Sequence, residues 1–341
     1  MLTIYLIPIL LAIFLAINMG ASGTSPSFSA VYGADLLKKE NIPGLFGIFV
    51  FLGVIIAGEK VIATIQKGIL PGTSMNLTIT IIILTSVSLS LFLANMLKVP
   101  QSTSQSTVFA LIGPAIYIGN LETDKLLFQI VPTWFITPIL AFILAVIGGK
   151  IFYKMFSERY SEFISNMSSS LAIKLVVIVG ACYVAFAIGS NNVANAVGPV
   201  VAMVSNILSL SAEDPSYLMI VTIAACMIAP FFGIGSSIMG TRVIGTTGKE
   251  IVNFGPLGAT LISIITATLL LLASVTKGIP TSLVQMNTGA ILGLSVVKKG
   301  WNHTGSNTPL KKILTVWLVA PILSLFISVT LTITADYFGL I

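Results

Sequence analysis

The feature that most constrains this chain is the recurrence of apolar runs long enough to cross a lipid bilayer. Ile79 to Met96, Leu126 to Gly148, Leu171 to Gly189 and Leu257 to Thr276 carry almost no charge. At about 1.5 Å per residue, each spans roughly 30 Å of hydrocarbon as a helix. In hydrocarbon every backbone N–H and C=O must find a partner within the chain, so such runs fold as helices. Only 8% of the 341 residues are charged and 56% are hydrophobic, against about a quarter charged in soluble domains. A water-soluble fold is excluded, and the expectation is an all-α integral membrane protein.

Leu2 to Met19 has the length of a secretory signal. It lacks a basic leading region and continues into apolar sequence past Gly20, so it reads as the first membrane segment. Cys182 and Cys226 lie inside apolar stretches without metal-ligand or redox spacing, and read as small buried hydrophobes. The net charge of +6 is scattered between the apolar runs, which argues for membrane topology and against a nucleic-acid partner.

Hydropathy predicts ten transmembrane segments, at about 2–34, 44–66, 77–97, 103–119, 127–153, 171–208, 216–239, 254–276, 280–297 and 311–336. Loops after odd-numbered segments hold thirteen of the 17 basic residues, among them Lys38, Lys39, Lys98, Lys150, Lys154 and Lys298, while the even loops hold only Lys60, Lys67, Lys125 and Lys277. That asymmetry places the odd loops in the cytoplasm and both termini outside a plasma membrane. The first and sixth segments are too long for simple spans. Glycines interrupt them, Gly20 and Gly23 in one and Gly189 and Gly198 in the other, so both are expected to break inside the membrane.

The two halves of the chain look duplicated. Trp134-Phe-Ile-Thr-Pro138-Ile-Leu-Ala-Phe142 returns as Trp317-Leu-Val-Ala-Pro321-Ile-Leu-Ser-Leu325, at an offset of 183. Gly58 to Ile69 returns as Gly240 to Ile251 at 182, and Pro100 to Gln105 as Pro280 to Gln285 at 180. Gly20-Ala-Ser-Gly23 and Gly189-Ser-Asn-Asn192 correspond at 169. With five segments per half, the second copy enters the bilayer from the opposite side. The expectation is two inverted-topology repeats, 1–155 and 171–341, joined by a cytoplasmic linker at 156–170. Such duplication with broken segments is the arrangement of alternating-access carriers, whose substrate sits near the midplane.

Four polar constellations interrupt the apolar background. Asn18 to Ser29 is hydroxyl-rich and contains Ser22, Gly23, Thr24 and Ser25, while Gly189 to Pro199 offers Asn191, Asn192 and Asn195. Helix packing also uses small and hydroxyl residues, but paired breaks, consecutive asparagines and repetition in both halves exceed what packing requires. The other two, Pro100 to Thr107 and Pro280 to Gln285, are proline and hydroxyl clusters that open apolar runs. Pro suits a first helical turn, Ser and Thr cap it, and the free N–H groups attract an anion.

These residues resemble the PiT family of inorganic phosphate transporters, and within it more closely the sulfate-permease (CysP-type) branch. The likeness covers nearly the whole chain. The family's Gly-Ala-Asn-Asp-Val-Ala-Asn-Ala signature is matched by Gly189-Ser-Asn-Asn-Val-Ala-Asn-Ala196, and its Pro-x-Ser-Thr-Thr-His element by Pro100 to Gln105. The resemblance implies ion-coupled import of a tetrahedral oxyanion, driven by H+ or Na+, by a protein that homodimerises. Both signature aspartates, which the resemblance would assign to the cation, are missing: Ser22-Gly23 and Asn191-Asn192 stand there. Gln105 and Gln285 replace the histidines, and Leu283-Val284 removes two hydroxyls from the second copy.

Donor-only chemistry then favours sulfate. Phosphate keeps at least one proton near neutral pH, and a buried donor without a partner costs about 1 to 3 kcal/mol. The expected site comprises Ser22, Gly23, Thr24, Ser25, Asn191, Asn192 and Asn195 from the long segments, with Ser102, Thr103, Ser104 and Ser282 from the helix openings. Gln105 and Gln285 are secondary candidates. No metal or cofactor is expected beyond the coupling ion.

The alternative within the family is a phosphate symporter with Na+ or H+, and the rival outside it is an anion channel. A membrane enzyme would need a nucleophile, base or metal constellation, which one histidine and sparse carboxylates do not supply. His303 reads as a solvated loop residue, and Glu59 as either a coupling carboxylate or half of a surface pair with Lys60.

Overall fold

The computed structural model describes residues 2–96, 101–156, 171–211, 214–240, 255–301, 304 and 308–341. Pro100, His303, nearly all of the linker at 156–170 and most of the motif at 240–251 lie outside the described residues. All regular elements among the described residues are helical. The first half contains α1 (Leu6–Gly33), α2 (Ile42–Ala57), α3 (Glu59–Lys67), α4 (Leu77–Met96), α5 (Thr103–Ile118) and α6 (Val131–Phe156). The second contains α7 (Leu171–Asn192), α8 (Ala194–Ile207), α9 (Pro215–Ile228), α10 (Pro230–Gly235), α11 (Gly255–Leu272), α12 (Leu283–Lys299) and α13 (Thr308–Tyr337).

Large apolar side chains such as Leu10, Ile56, Ile139 and Phe326 point outward, where lipid takes the place of a protein partner. The interior packs large apolar side chains such as Phe28, Phe46 and Phe232 together with small residues and with hydroxyls that return their proton to the preceding turn. Ser27 donates to the Gly23 carbonyl, Ser86 to Ile82 and Thr107 to Thr103. Bonded this way, a hydroxyl inside a membrane helix leaves no orphan donor.

Among the described residues, eight helical stretches are long and apolar enough to span a bilayer, against the ten expected. The fourth and ninth segments fall short: α5 has 16 residues and α12 has 17. Both open inside the protein, with Ser102, Thr103, Ser282 and Leu283 all buried. A helix start leaves backbone N–H groups free, and these are tolerated at depth only where protein surrounds them.

The expected break in the first segment is absent, for α1 runs unbroken for 28 residues. Gly20 serves close packing instead, since a methyl group there would lie 2.1 Å from the Phe232 carbonyl oxygen. The sixth segment is interrupted only at Val193, not at either glycine, and the backbone there keeps helical angles, φ −60° and ψ −30°. The second segment breaks as well, with Gly58 separating α2 from the short polar α3.

Packing repeats with the halves exchanged. Helix α2 packs on α7 as α1 packs on α10, and α6 packs on α12 as α5 packs on α13. The glycines show the relation at atomic scale. A methyl on Gly189 would lie 2.0 Å from the Val50 carbonyl oxygen, as one on Gly20 would from that of Phe232 at 2.1 Å. A methyl on Gly53 would meet the Phe186 oxygen at 2.0 Å, as one on Gly235 would meet that of Ile17 at 1.9 Å. Each atom pair maps onto the other by the sequence offsets of 169 and 182.

One end of the bundle gathers loops that the charge pattern places on a single side. The Thr78 hydroxyl donates to the Leu340 carbonyl, Tyr117 to the Asp336 carboxylate, and the Asn206 amide to the Thr73 and Met75 carbonyls. There too the Lys125 ammonium donates to the Thr64 hydroxyl at 3.0 Å. Glu59 is exposed, so it sits at a surface rather than inside the helix bundle.

Candidate functional site

The interior starts of α5 and α12 face one another. Each is capped by the serine before it: the Gln105 N–H donates to the Ser102 hydroxyl oxygen at 3.3 Å, and the Gln285 N–H to that of Ser282 at the same distance. Helix geometry leaves the amides of Thr103 and Ser104, and of Leu283 and Val284, without intrahelical acceptors. Two positive helix ends therefore converge in the interior of the fold.

Gln105 and Gln285 close a reciprocal pair between these first turns. Gln105 Nε2 donates to Gln285 Oε1 at 3.2 Å, and Gln285 Nε2 donates back to Gln105 Oε1 at 3.1 Å. Both amides are buried and satisfied by each other. Gln105→Leu alone is expected to strand one amide and cost about 1 to 3 kcal/mol, whereas Gln105→Leu with Gln285→Leu removes both polar partners at smaller cost. Thermal unfolding in detergent checks this order, and a double variant less stable than either single would refute the pairing.

Asn191 ties the break after α7 to both openings. Its Nδ2 donates to the Ser274 hydroxyl at 2.8 Å and to the Ile279 carbonyl at 3.0 Å. Its Oδ1 accepts from the Thr281 N–H at 3.2 Å and from the Ser104 hydroxyl at 3.3 Å. One helical turn on, Asn195 Nδ2 donates to the Ser104 hydroxyl oxygen at 3.3 Å.

Between these elements lies a small cavity. Its walls include Ser22, Gly23, Ser102, Thr103, Ser104, Asn192 and Ser282, all expected at the site from sequence. Gln101, Thr281, Pro26, Ile188, Leu283 and Val284 complete it. Among the described residues, no lysine, arginine, histidine, aspartate or glutamate lines it.

Thr24 and Ser25, also expected at the site, do not line it. Because α1 is continuous, its 3.6-residue period turns positions 22, 23 and 26 to the cavity and 24 and 25 away. Thr24 donates instead to the Gly20 carbonyl at 2.6 Å, and the Ser25 hydroxyl meets that of Ser29 at 3.1 Å. Asn191, Asn195, Gln105 and Gln285 hold the walls from behind rather than forming them.

Sequence reasoning missed Gln101 and Thr281. The signal was there, since both follow the paired prolines at the 180-residue offset, but hydroxyl clusters drew attention past them. Three buried oxygens belonging to wall residues have no hydrogen-bond partner: Gln101 Oε1, Asn192 Oδ1 and Thr281 Oγ1. Native interiors seldom leave such groups unsatisfied without a functional reason.

The family model described as the phosphate transporter family matches residues 19–328. Sulfate permease CysP of Bacillus subtilis is 34% identical, over 97% of this chain and 89% of its own length. A Pyrococcus furiosus protein, named provisionally as a phosphate permease, is 25% identical over 86% of this chain and 88% of its own. A solved structure of a protein called the sodium-dependent phosphate transporter shares the fold, with a TM-score of 0.83 at 22% identity, covering 98% of this chain and 99% of that one.

Proposed function

The chain belongs to the phosphate transporter family of membrane carriers of inorganic anions, and on that premise we propose that it imports sulfate by ion-coupled alternating access. The observation that carries the proposal is the cavity wall, which among the described residues offers hydroxyls, amides and two helix starts but no carboxylate. Sulfate has no proton to give, so the neutral donors of this wall suit it without any acceptor being needed. Phosphate would bring an O–H in need of an acceptor. The similarity to a protein named as a sulfate permease points the same way.

In this reading Ser102, Thr103 and Ser282 donate hydroxyls, Asn192 donates its amide, and the openings of α5 and α12 contribute backbone N–H groups and their dipoles, while Ser22, whose hydroxyl donates to the Met19 carbonyl, shapes the wall. Asn191, Asn195 and the Gln105–Gln285 pair fix the geometry. The two halves act as inverted repeats, 1–155 and 171–341, that exchange conformations to open the site to each side in turn. The packing relations that recur with the halves exchanged support this.

The basic residues orient the protein in a plasma membrane with both termini outside. H+ or Na+ drives accumulation; the structurally similar transporter is named as sodium-dependent. The protein works as a homodimer, as the family resemblance suggests. Selenate, molybdate and thiosulfate are passengers of the same shape and charge.

Uptake of labelled sulfate into proteoliposomes under an imposed pH or Na+ gradient tests this reading. Saturable, gradient-dependent uptake, inhibited by selenate at lower concentrations than by phosphate, is expected. Flux that neither saturates nor follows a gradient would mean a channel. Accumulation of labelled phosphate in preference to sulfate would make the protein a phosphate symporter, the reading favoured by the unpartnered acceptors Gln101 Oε1 and Asn192 Oδ1.

A further inference from the structure

We propose that Gln101 sets how the cavity discriminates between oxyanions that carry a proton and those that do not, by offering a fixed carbonyl acceptor to a passenger's O–H. The proposal rests on the oxyanion reading above. It assigns to one residue the selectivity within that class.

The orientation of the Gln101 amide follows from its neighbours. The Ser90 hydroxyl gives its one proton to the Ala320 carbonyl at 3.0 Å, and a carbonyl cannot return one. The Ser90 oxygen can therefore only accept, so the end of Gln101 that meets it at 3.1 Å must be the NH2 group. The same Nε2 reaches the Ser106 hydroxyl oxygen at 2.7 Å. Both ends of the amide are thus committed, with Nε2 held by two serines and Oε1 left at the opposite side. Gln101 lines the cavity with 2% of its surface exposed, and Oε1 is buried without a partner.

An uncompensated buried carbonyl is costly unless a ligand answers it. A bare sulfate oxygen cannot, because two acceptors facing each other repel. The O–H of monoprotonated phosphate can. Hydroxyls and helix starts elsewhere on the wall serve the unprotonated oxygens of either anion, so Gln101 is the place where the two part company. Thr281 occupies the corresponding position in the second half, but its hydroxyl can donate or accept and so imposes no such preference. The carbonyl admits protonated oxyanions as second-rank passengers of a site that otherwise favours sulfate.

The test uses four tetrahedral anions against labelled sulfate uptake by the full chain in proteoliposomes at neutral pH. Unlabelled sulfate and selenate carry no proton there, while phosphate and arsenate carry at least one. Gln101→Met keeps the length of the side chain and removes the acceptor. The phosphate-to-selenate ratio of inhibition constants is expected to rise about tenfold in this variant, and the arsenate-to-selenate ratio with it, the worth of one hydrogen bond.

Ser90→Ala, which touches the cavity only through Gln101, frees the amide to turn and should shift both ratios in the same direction by less. Because ratios are read, a loss of active protein leaves the outcome intact. Should Gln101→Met be too unstable to reconstitute, Ser90→Ala alone decides, and unchanged ratios in it would overturn the proposal. Ratios unmoved in Gln101→Met, or a series that sorts by size rather than protonation, would overturn it too. Saturable sulfate uptake that phosphate and arsenate never inhibit in the unmodified protein would defeat this inference alone. Absence of saturable uptake of any oxyanion would defeat the transport reading first.

Discussion

Asn191→Ala is expected to abolish uptake and to lower the unfolding temperature sharply, whereas its neighbour Asn192→Ala is expected to abolish uptake with membrane insertion and stability intact. The difference lies in what each amide holds. The Asn191 side chain is fully buried, and it bonds the Ile279 carbonyl, the Thr281 N–H and the hydroxyls of Ser104 and Ser274. Truncation strands two backbone groups at about 1 to 3 kcal/mol each, in an interior where no bulk water replaces them. It also releases the start of α12 from the end of α7, and the cavity loses its shape.

Asn192 is only partly buried and lines the cavity. No hydrogen bond to protein holds its Oδ1, so truncation leaves the packing intact and removes the amide donor that the proposed site offers the passenger. Thermal unfolding in detergent and sulfate uptake, measured on both variants, separate the two roles. Unimpaired uptake by Asn192→Ala would remove that residue from the site. A thermally normal Asn191→Ala would show that its four bonds contribute little.

The second large effect concerns the interlocked glycines. Gly20→Ala, Gly53→Ala, Gly189→Ala and Gly235→Ala each place a methyl within 2.1 Å or less of a backbone carbonyl oxygen. A carbonyl within a packed helix has no rotamer by which to move aside, so the helices themselves must part. The cost should exceed the ~1–3 kcal/mol usual for an overpacked core, and the yield of monodisperse protein from detergent should fall at least tenfold. Gly44→Ala is the control, since a methyl there meets nothing within 4 Å. If the four interlock variants accumulate like Gly44→Ala, the close approach of α1 to α10 and of α2 to α7 does not hold the halves together.

The correspondence between the halves was legible in the sequence as residue types that recur at near-constant offsets. Paired caps at Ser102 and Ser282, paired glutamines at 105 and 285, and paired glycines at 20 and 189 all follow from the alignment of the halves. The pairing partners were not legible. Nothing in the order of residues says that Gln105 should meet Gln285, or that Gly20 should lie against Phe232 rather than against another helix.

Two glycines in a polar stretch suggested a break in the first segment, yet α1 is continuous. A glycine that weakens a helix in water is tolerated in a membrane helix when it admits a neighbour's backbone. That single difference moved Thr24 and Ser25 away from the cavity, because a continuous helix fixes which faces they occupy.

By itself, then, the sequence determined that this is a helical membrane protein, with residue patterns that recur between its halves and with helix openings and amides gathered in its polar stretches. Hydropathy, backbone satisfaction and capping are local rules, read from neighbours along the chain. Only the tertiary structure decided which of those polar groups form a cavity wall, which brace it, and which atom of Gln101 is left free. Those outcomes depend on helix rotation and on hydrogen-bond commitments made across more than two hundred residues, as between Ser90 and Ala320, and no local rule carries that information.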